Sequence, residues 1–576
     1  MAYSLSQAGF SVVVLEAGPR FDPTQYPLNQ ADWERLPKTF SASRDAQRDH
    51  YTSGPKEPLN PQYRHLQSWT EGEKVSVNKT HRAPPKVYRV KGVGGCTLHY
   101  QGEAHRFSPH AFKSRSLFGY GEDWPIQYED LEPYYDKMEK LLGVAGDPNN
   151  PFKAPRGPFP NPPHRLSCAS QRFKQGFDEL GLQLHQNSVA ILSRPYDGRV
   201  PCNYCNGCSQ GCMMGSKSSM DVSLLPKAEA TGNTRILANA TAAQIQIDGE
   251  EKAKGVMFFD EKKQENFVHA KVVVLSASAM ESPRLLLNSE SKAFPDGLAN
   301  RSGGVGLYFM ETMFHDLTAL FDEPIHSHKG LQIDARCWNY NFPNPSQSFQ
   351  AGVVFGVSPL GLIGPGAYSK YLVHGWGKSH KDQMREYFGR TLHLFAIGEQ
   401  HPHPNNQVKL DPTERDGFGL PVSQLATQLH ANELEMLNFM AIRGKAISNA
   451  ARVKRVLGEA SAYDLSGITH MGGTCRMGSD PQRSVVNQFC QSHDVPNLFV
   501  VDASCFVTQG GGDSPSLTIQ ALALRAGEYL AKEARKGNIS QALFVNTCCA
   551  TKIQNFYGIQ ENVCMRRGGL LVLIFL

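Results

Sequence analysis

Long apolar runs are missing from this chain of 576 residues. No stretch of about 18 apolar residues exists, so no transmembrane helix is expected. The closing run Leu570-Leu571-Val572-Leu573-Ile574-Phe575-Leu576 is far too short to span a bilayer. Charge of one sign is also scarce: a net +5 is spread along the whole length without a Lys/Arg block, which argues against a nucleic-acid partner. With 13 cysteines in 576 residues, the chain is no disulfide scaffold. No signal peptide is visible, because Met1 is followed at once by the pattern of a fold interior; the compartment stays unassigned.

Size and the abundant residues set the frame. A chain of this length is too long for one simple core, so two joined domains are the natural expectation. The 52 glycines and 36 prolines point to a loop-rich architecture.

From Ala2 to Ala8 the small-residue and Leu spacing reads as the end of a helix, stopped by Gly9. Ser11 to Leu15 (SVVVL) is a β-branched run fit for a buried parallel strand, and Glu16-Ala17-Gly18 follows directly. An acidic residue ending the second strand of a βαβ unit accepts hydrogen bonds from the adenosine ribose of a dinucleotide; the bland alternative is that Glu16 merely ends a strand. The other half of that fingerprint, a first strand and a G-x-G-x-x-G turn, is expected some twenty residues upstream. Met1 therefore stands inside the first helix, and the expectation is of a truncated N-terminus.

Further along, Val90 to Gly102 (VKGVGGCTLHYQG) places glycines where backbone can approach a bulky ligand. Asp123 to Tyr135 opens a helix, with Asp130 suited to its first turn. Residues 236–287 alternate strand-like runs with turns before a helical ESPRLLLNS, while 310–460 is mixed and aromatic without a repeat. Leu498 to Val501 is a strand running into Asp502, and a helix begins around Pro515. Four cysteines, Cys202, Cys205, Cys208 and Cys212, have the spacing of a bacterial ferredoxin-type loop, with Met213 in place of the usual proline. A loop of free buried thiols or a local disulfide are the plainer readings.

The motifs LSQAGFSVVVLEAG, GVGGCTLHYQG, DWPIQYEDLEPYY, SASAMESPRLLLNS, HMGGTCRMG and NLFVVDASCFVTQGGGDSPSLTIQALALRAGEYL together resemble the glucose-methanol-choline (GMC) flavoenzyme family over residues 2–533. Within it the chain looks most like the flavin subunits of bacterial sugar and gluconate dehydrogenases. The resemblance implies an α/β fold: an FAD/NAD(P)-binding Rossmann-like domain, its first strand and glycine turn missing, with an inserted α+β substrate domain. The FAD-binding domain would be built from residues 1–30, 85–120, 215–310 and 465–537. The substrate domain would take 31–84, 121–214 and 311–464, including the cysteine loop 202–212, and 538–576 is an unassigned tail.

By the same resemblance FAD would be held by Glu16 at the ribose and by Gly94, Gly95 and Thr97 along the pyrophosphate and isoalloxazine side. Ala277 and Ser278 would run near the adenine, with Asp502 and Ala503 at the pyrophosphate and ribityl chain. His99 matches the position at which some members attach the flavin covalently.

An alcohol becomes a carbonyl when its O–H proton and a carbon-bound hydride both leave, so the protein must supply a base. A histidine with pKa near 6.5 suits that task, and His470 occupies the family's catalytic position. Ser514 stands where the family usually places a second His or Asn, and Asp513 beside it is the alternative orienting group. Similar sugar dehydrogenases bind a three-iron cluster near the cysteine loop, which would pass electrons to an acceptor protein or quinone. The expected function is an FAD-dependent dehydrogenase of alcohol or sugar CH–OH groups; an oxygen-using oxidase and a non-catalytic relative are the rivals.

Overall fold

Ser11–Glu16 is buried at all six positions in the computed structural model, as a strand covered on both faces must be. The structure describes residues 1–24, 90–344, 347–359, 364–369, 372–373, 375–463 and 469–539 in full. It describes the backbone alone of residues 25, 69–71, 76–77, 86–89, 370–371, 467–468, 551–554, 560–563 and 570–575. Most of the expected substrate-domain segment 31–84 therefore lies outside the described residues.

Ser11–Glu16 belongs to a five-stranded parallel sheet ordered Leu498–Val500, Val272–Leu275, Leu570–Phe575, Ser11–Glu16, Thr234–Leu237. Three of its strands run directly into expected cofactor residues: Glu16 ends one, Ala277 and Ser278 follow Leu275, and Asp502 follows Val500. The C-terminal edge of such a sheet is where dinucleotides bind. The expected α/β class is thus the observed one.

The tail, unassigned from sequence, supplies one of these strands. Leu570–Phe575 lies between Ser11–Glu16 and Val272–Leu275, paired in parallel on both sides. An unbroken apolar run too short for a membrane has the composition of a fully covered parallel strand.

Helices Ala2–Gln7, Tyr128–Leu142 and Ser516–Arg535 share one core with this sheet, in which Leu5, Leu131, Tyr135, Leu517 and Ala521 join Val12, Val14 and Val273. The Tyr128–Leu142 helix opens with a capping box in which the Asp130 carboxylate accepts from the Gln127 N–H at 2.8 Å. Pro515 stands at the N-cap of Ser516–Arg535, where a missing N–H costs nothing.

A second, six-stranded sheet is antiparallel. Its order is Arg455–Ser461, Thr312–Leu320, Thr391–Glu399, Val353–Ser358, Ala335–Tyr340, His185–Gln186. Helices Cys168–Glu179 and Ala431–Ala450 cover one face, and Phe173, Phe177, Met436, Met440 and Ile447 pack on Met313, Leu317 and Phe355. The strand Thr391–Glu399 carries a buried carboxylate at its end, and this end meets the loop before Pro515.

Candidate active site

The Glu16 carboxylate accepts hydrogen bonds from the Gly18 N–H at 2.8 Å and the Gly92 N–H at 3.0 Å. Burial pushes its pKa up to about 8 against the pull of those two donors. A cleft runs from Ala17 past Lys91, Cys96, Ala242 and Ser278 to Met471. It therefore joins the strand end at Glu16 to the residue after His470. Asp502 does not face this space with its carboxylate. One oxygen accepts from the Ser278 N–H at 3.0 Å and the Ser282 hydroxyl at 2.5 Å, the other from the Ser504 N–H at 2.6 Å. What it does is lock the ends of two adjacent parallel strands together. Ala277 is held there too, its N–H donating to Ser282 Oγ at 3.1 Å.

The turn 94–99 forms the other wall. Thr97 donates to the Gly94 carbonyl at 2.6 Å and accepts from the Met220 N–H at 2.9 Å. Gly95 sits at φ +57 with nothing within 4 Å of where a Cβ would stand, so one side of the turn is open to a ligand. These features fit FAD: a carboxylate at a strand end, and a bare glycine backbone in the turn whose Cys96 lines the cleft. His99 is buried, and its Nδ1 must carry hydrogen, since its partner at 2.8 Å is the Ser209 carbonyl oxygen. Nε2 is then the basic nitrogen of that ring.

His470 adopts the left-handed conformation at φ +50, unusual for a residue with a Cβ. Its segment is threaded between two others. Gly472 exchanges backbone hydrogen bonds with Met310 at 2.9 Å, and the Gly473 N–H donates to the Ala503 carbonyl at 3.0 Å. A Cβ on Gly473 would stand 2.0 Å from the Tyr308 oxygen, so only glycine fits. Ala503 thus touches the His470 loop through its carbonyl. The Gln509 amide donates to the His470 carbonyl at 2.6 Å.

Ser514 is buried and belongs to a different network. Its N–H donates to His105 Nδ1 at 3.0 Å, so His105 is the neutral tautomer protonated on Nε2, which faces Asn187 Oδ1 at 2.7 Å. The Asp513 carboxylate is engaged by Lys153 Nζ at 2.5 Å and by the Trp338 indole N–H at 2.9 Å. Asp513 therefore ties the loop before Ser516–Arg535 to Lys153 and Trp338, and its oxygens are already bonded.

Sequence reasoning missed Glu399, Tyr120 and Gln509. Glu399 accepts from the Gly511 N–H and, at 3.1 Å, from the Tyr120 hydroxyl, which in turn stacks on His401 at 4.1 Å. Burial pushes Glu399 up to about 7, moderated by hydrogen bonds from the backbone of Gly511 and Gln509. No motif could have revealed it, because its partners lie more than a hundred residues away in sequence.

Two family models for GMC oxidoreductase match the chain, one over residues 122–293 and one over 402–523. The chain is also 33% identical over 551 residues to 2-methyl-1,2-propanediol dehydrogenase of Mycolicibacterium austroafricanum, covering 92% of each chain. The protein belongs to the GMC oxidoreductase family. It is 29% identical to the fructose dehydrogenase large subunit of Gluconobacter japonicus, over 93% of this chain and 96% of that one. Among solved structures, pyridoxine 4-oxidase from Mesorbium loti superposes with a TM-score of 0.61 at 17% identity, covering 93% of this chain and 96% of the other. Membership makes this chain an FAD-dependent oxidoreductase.

In this GMC oxidoreductase the cysteine loop does not match the convergent set that its spacing suggested. Among the described residues no three His, Cys, Asp or Glu side chains stand where they could share a metal ion. None of the four cysteines is in a disulfide. Burial raises Cys202 to about 12 and Cys208 well above its ordinary value, so both are protonated. The loop is nonetheless tied to the turn 94–99. The fully buried Lys217 ammonium donates to the carbonyls of Leu98 at 2.8 Å, Tyr100 at 3.2 Å and Cys208 at 2.7 Å.

Proposed function

We propose that the protein oxidises the CH–OH group of an alcohol or sugar, with His470 as the base. The observation that carries this reading is the placement of the His470 loop. It is bonded to Ala503 on the cofactor side and to Gln509 on the loop before Ser516–Arg535, beside a cleft that Met471 and Ala17 line. Bound FAD supplies the acceptor for a hydride. The chain's own contribution is to place the hydroxyl and to take its proton: the O–H bond breaks toward the His470 ring, the C–H pair leaves as hydride, and a carbonyl remains. The left-handed backbone at His470, held by the Gln509 amide, fixes the direction in which that ring projects. His99 is the proposed point of covalent attachment, through Nε2.

The relatives named 2-methyl-1,2-propanediol dehydrogenase and fructose dehydrogenase large subunit support a dehydrogenase acting on a polyol, with electrons leaving to an acceptor other than oxygen. The likeness to pyridoxine 4-oxidase keeps an oxidase as the second reading. Comparing oxygen uptake with reduction of an artificial dye acceptor separates the two.

The proposal extends to the cysteine loop in one respect. Asn206, buried between Cys205 and Cys208, has neither amide atom paired among the described residues, and Lys217 places a buried amine beside the Cys208 carbonyl. Both suit an anionic cluster, for which the four thiols must draw together and lose their protons. Iron and acid-labile sulfide in the purified protein test this, and the absence of both removes the cluster from the account.

The central assignment is tested by His470→Ala. The variant is expected to retain bound flavin while reduction by alcohols or sugars falls by at least about 100-fold. Unchanged reduction would assign the base elsewhere.

A further inference from the structure

Two cysteines of the core meet across the strand Leu498–Val500. Cys490 precedes that strand and Cys505 follows it; both are buried, and their Sγ atoms stand 4.0 Å apart. Neither backbone is free to drift. The Cys490 N–H donates to the Asn487 carbonyl at 2.9 Å, and the Cys490 carbonyl accepts from the Val500 N–H at 2.9 Å. Cys505 ends the turn 503–505, and its carbonyl accepts from the Met477 N–H at 3.0 Å. Cys490 also holds φ +62, a left-handed conformation that residues with a Cβ seldom adopt. The turn thereby sets where its Cβ points, and the thiol it carries reaches Cys505.

The S–S bond of a disulfide is about 2.05 Å long, so the two sulfurs must approach by about 2 Å. That motion is within reach of rotation about the two Cα–Cβ bonds. It takes the Cys505 thiol away from the Asp502 carbonyl, to which it donates at 3.0 Å. Cys475 is another thiol near Cys505, but its side chain is engaged with Ser504 and Thr474.

We propose that Cys490 and Cys505 are a redox modification site, which a peroxide converts into an intramolecular disulfide within the folded protein. One thiol takes an oxygen from hydrogen peroxide, giving a sulfenic acid and a water. The second thiol then displaces that oxygen as another water, and the S–S bond forms. The sulfur pair gives up two electrons, which the broken O–O bond of the peroxide receives. Contact with Cys490 and burial push the Cys505 thiol well above its ordinary pKa, so the reaction is slow and favours a small neutral oxidant. The product closes a covalent loop around Leu498–Val500, the strand that leads into Asp502 and Ala503. The same stretch is laced to the segment after His470, where the Cys475 N–H donates to the Ser504 carbonyl at 2.8 Å. None of this depends on His470 being the base.

The test is a map of the thiols. Arg483 and Arg525 bracket both cysteines with no Lys or Arg between them, so trypsin releases the pair in one peptide, 484–525, free of other cysteines. Purified full-length holoenzyme is reduced, desalted and treated with N-ethylmaleimide to block exposed thiols such as Cys96 and Cys168. It is then held with or without hydrogen peroxide and unfolded in iodoacetamide. Without peroxide the peptide is expected to take two iodoacetamide groups. With peroxide most of it is expected to take none and to be lighter by two hydrogens than the dithiol, and dithiothreitol should restore both alkylation sites. The melting temperature should rise by several degrees on oxidation in wild type and not in Cys505→Ala. Should that variant fail to fold, the wild-type map decides alone. A peptide that still takes two groups after peroxide, one recovered with added oxygen, or Cys505 found linked to the Cys475 peptide would each overturn the proposal and leave the proposed function untouched.

Discussion

At the scale of single residues, the site depends on buried polar groups that no local motif announces. Glu399 is the most exposed of these to experiment, because its carboxyl is raised from 4.5 to about 7. A raised carboxyl means that the native state binds a proton which the unfolded chain releases. The contribution of Glu399 to stability is thus fully present below pH 4.5 and is lost as pH rises through about 7. Urea unfolding across that window should show wild type losing on the order of 3 kcal/mol relative to Glu399→Gln. Parallel profiles for the two proteins would contradict the assignment. Glu16 has a wider window, from 4.5 to about 8, and is left in place by the comparison. Asp513 gives an independent check. Removing its charge by Asp513→Asn leaves the partly buried Lys153 without its carboxylate, which should destabilise the fold by about 2–3 kcal/mol, readable as a lowered urea midpoint. The motif residues themselves were legible. His470, Gly473, Asp502 and Ala503 come together in the structure, while Ser514 is turned to His105 and the Asp502 carboxylate to its own neighbours. A motif records which residues occupy a place and is silent about which of their atoms face inward.

At the scale of elements, legibility followed the range of the interaction that makes each element. The Ser11–Glu16 strand was visible because a β-branched run buried on both faces needs no particular partner to be recognised. The Tyr128–Leu142 and Ser516–Arg535 helices were visible because a cap and a proline are local signals. The antiparallel sheet of residues 312–461 was not, since its strands differ in pattern and pair across long stretches of chain. The strand Leu570–Phe575 escaped for another reason: its apolar run was measured against a membrane and not against a sheet. With partners on both sides it is an interior strand, and removing residues 570–576 should expose the apolar edges of Ser11–Glu16 and Val272–Leu275. The expected result is a large fall in melting temperature or insoluble protein; an unchanged melt would show that the five-stranded sheet does not depend on this strand. Gly473→Ala offers a smaller perturbation in the same region. A methyl 2.0 Å from the Tyr308 oxygen should displace the His470 loop, and reduction by substrate should fall more than flavin content does.

At the scale of the whole molecule, two sheets of opposite construction meet at one loop. The parallel sheet places the proposed cofactor residues along its C-terminal edge, and the antiparallel sheet delivers Glu399 to the backbone of Gln509 and Gly511. Between them His470 is held by bonds to its carbonyl and to the glycines that follow it. Family membership makes the chain an FAD-dependent oxidoreductase. The most direct measurement is the flavin absorbance of the purified full-length protein, recorded without oxygen before and after addition of a polyol or sugar. The account predicts flavin bands that bleach in wild type and persist in His470→Ala. Flavin that stays oxidised with every alcohol and sugar offered, in a folded protein with full cofactor content, would contradict it.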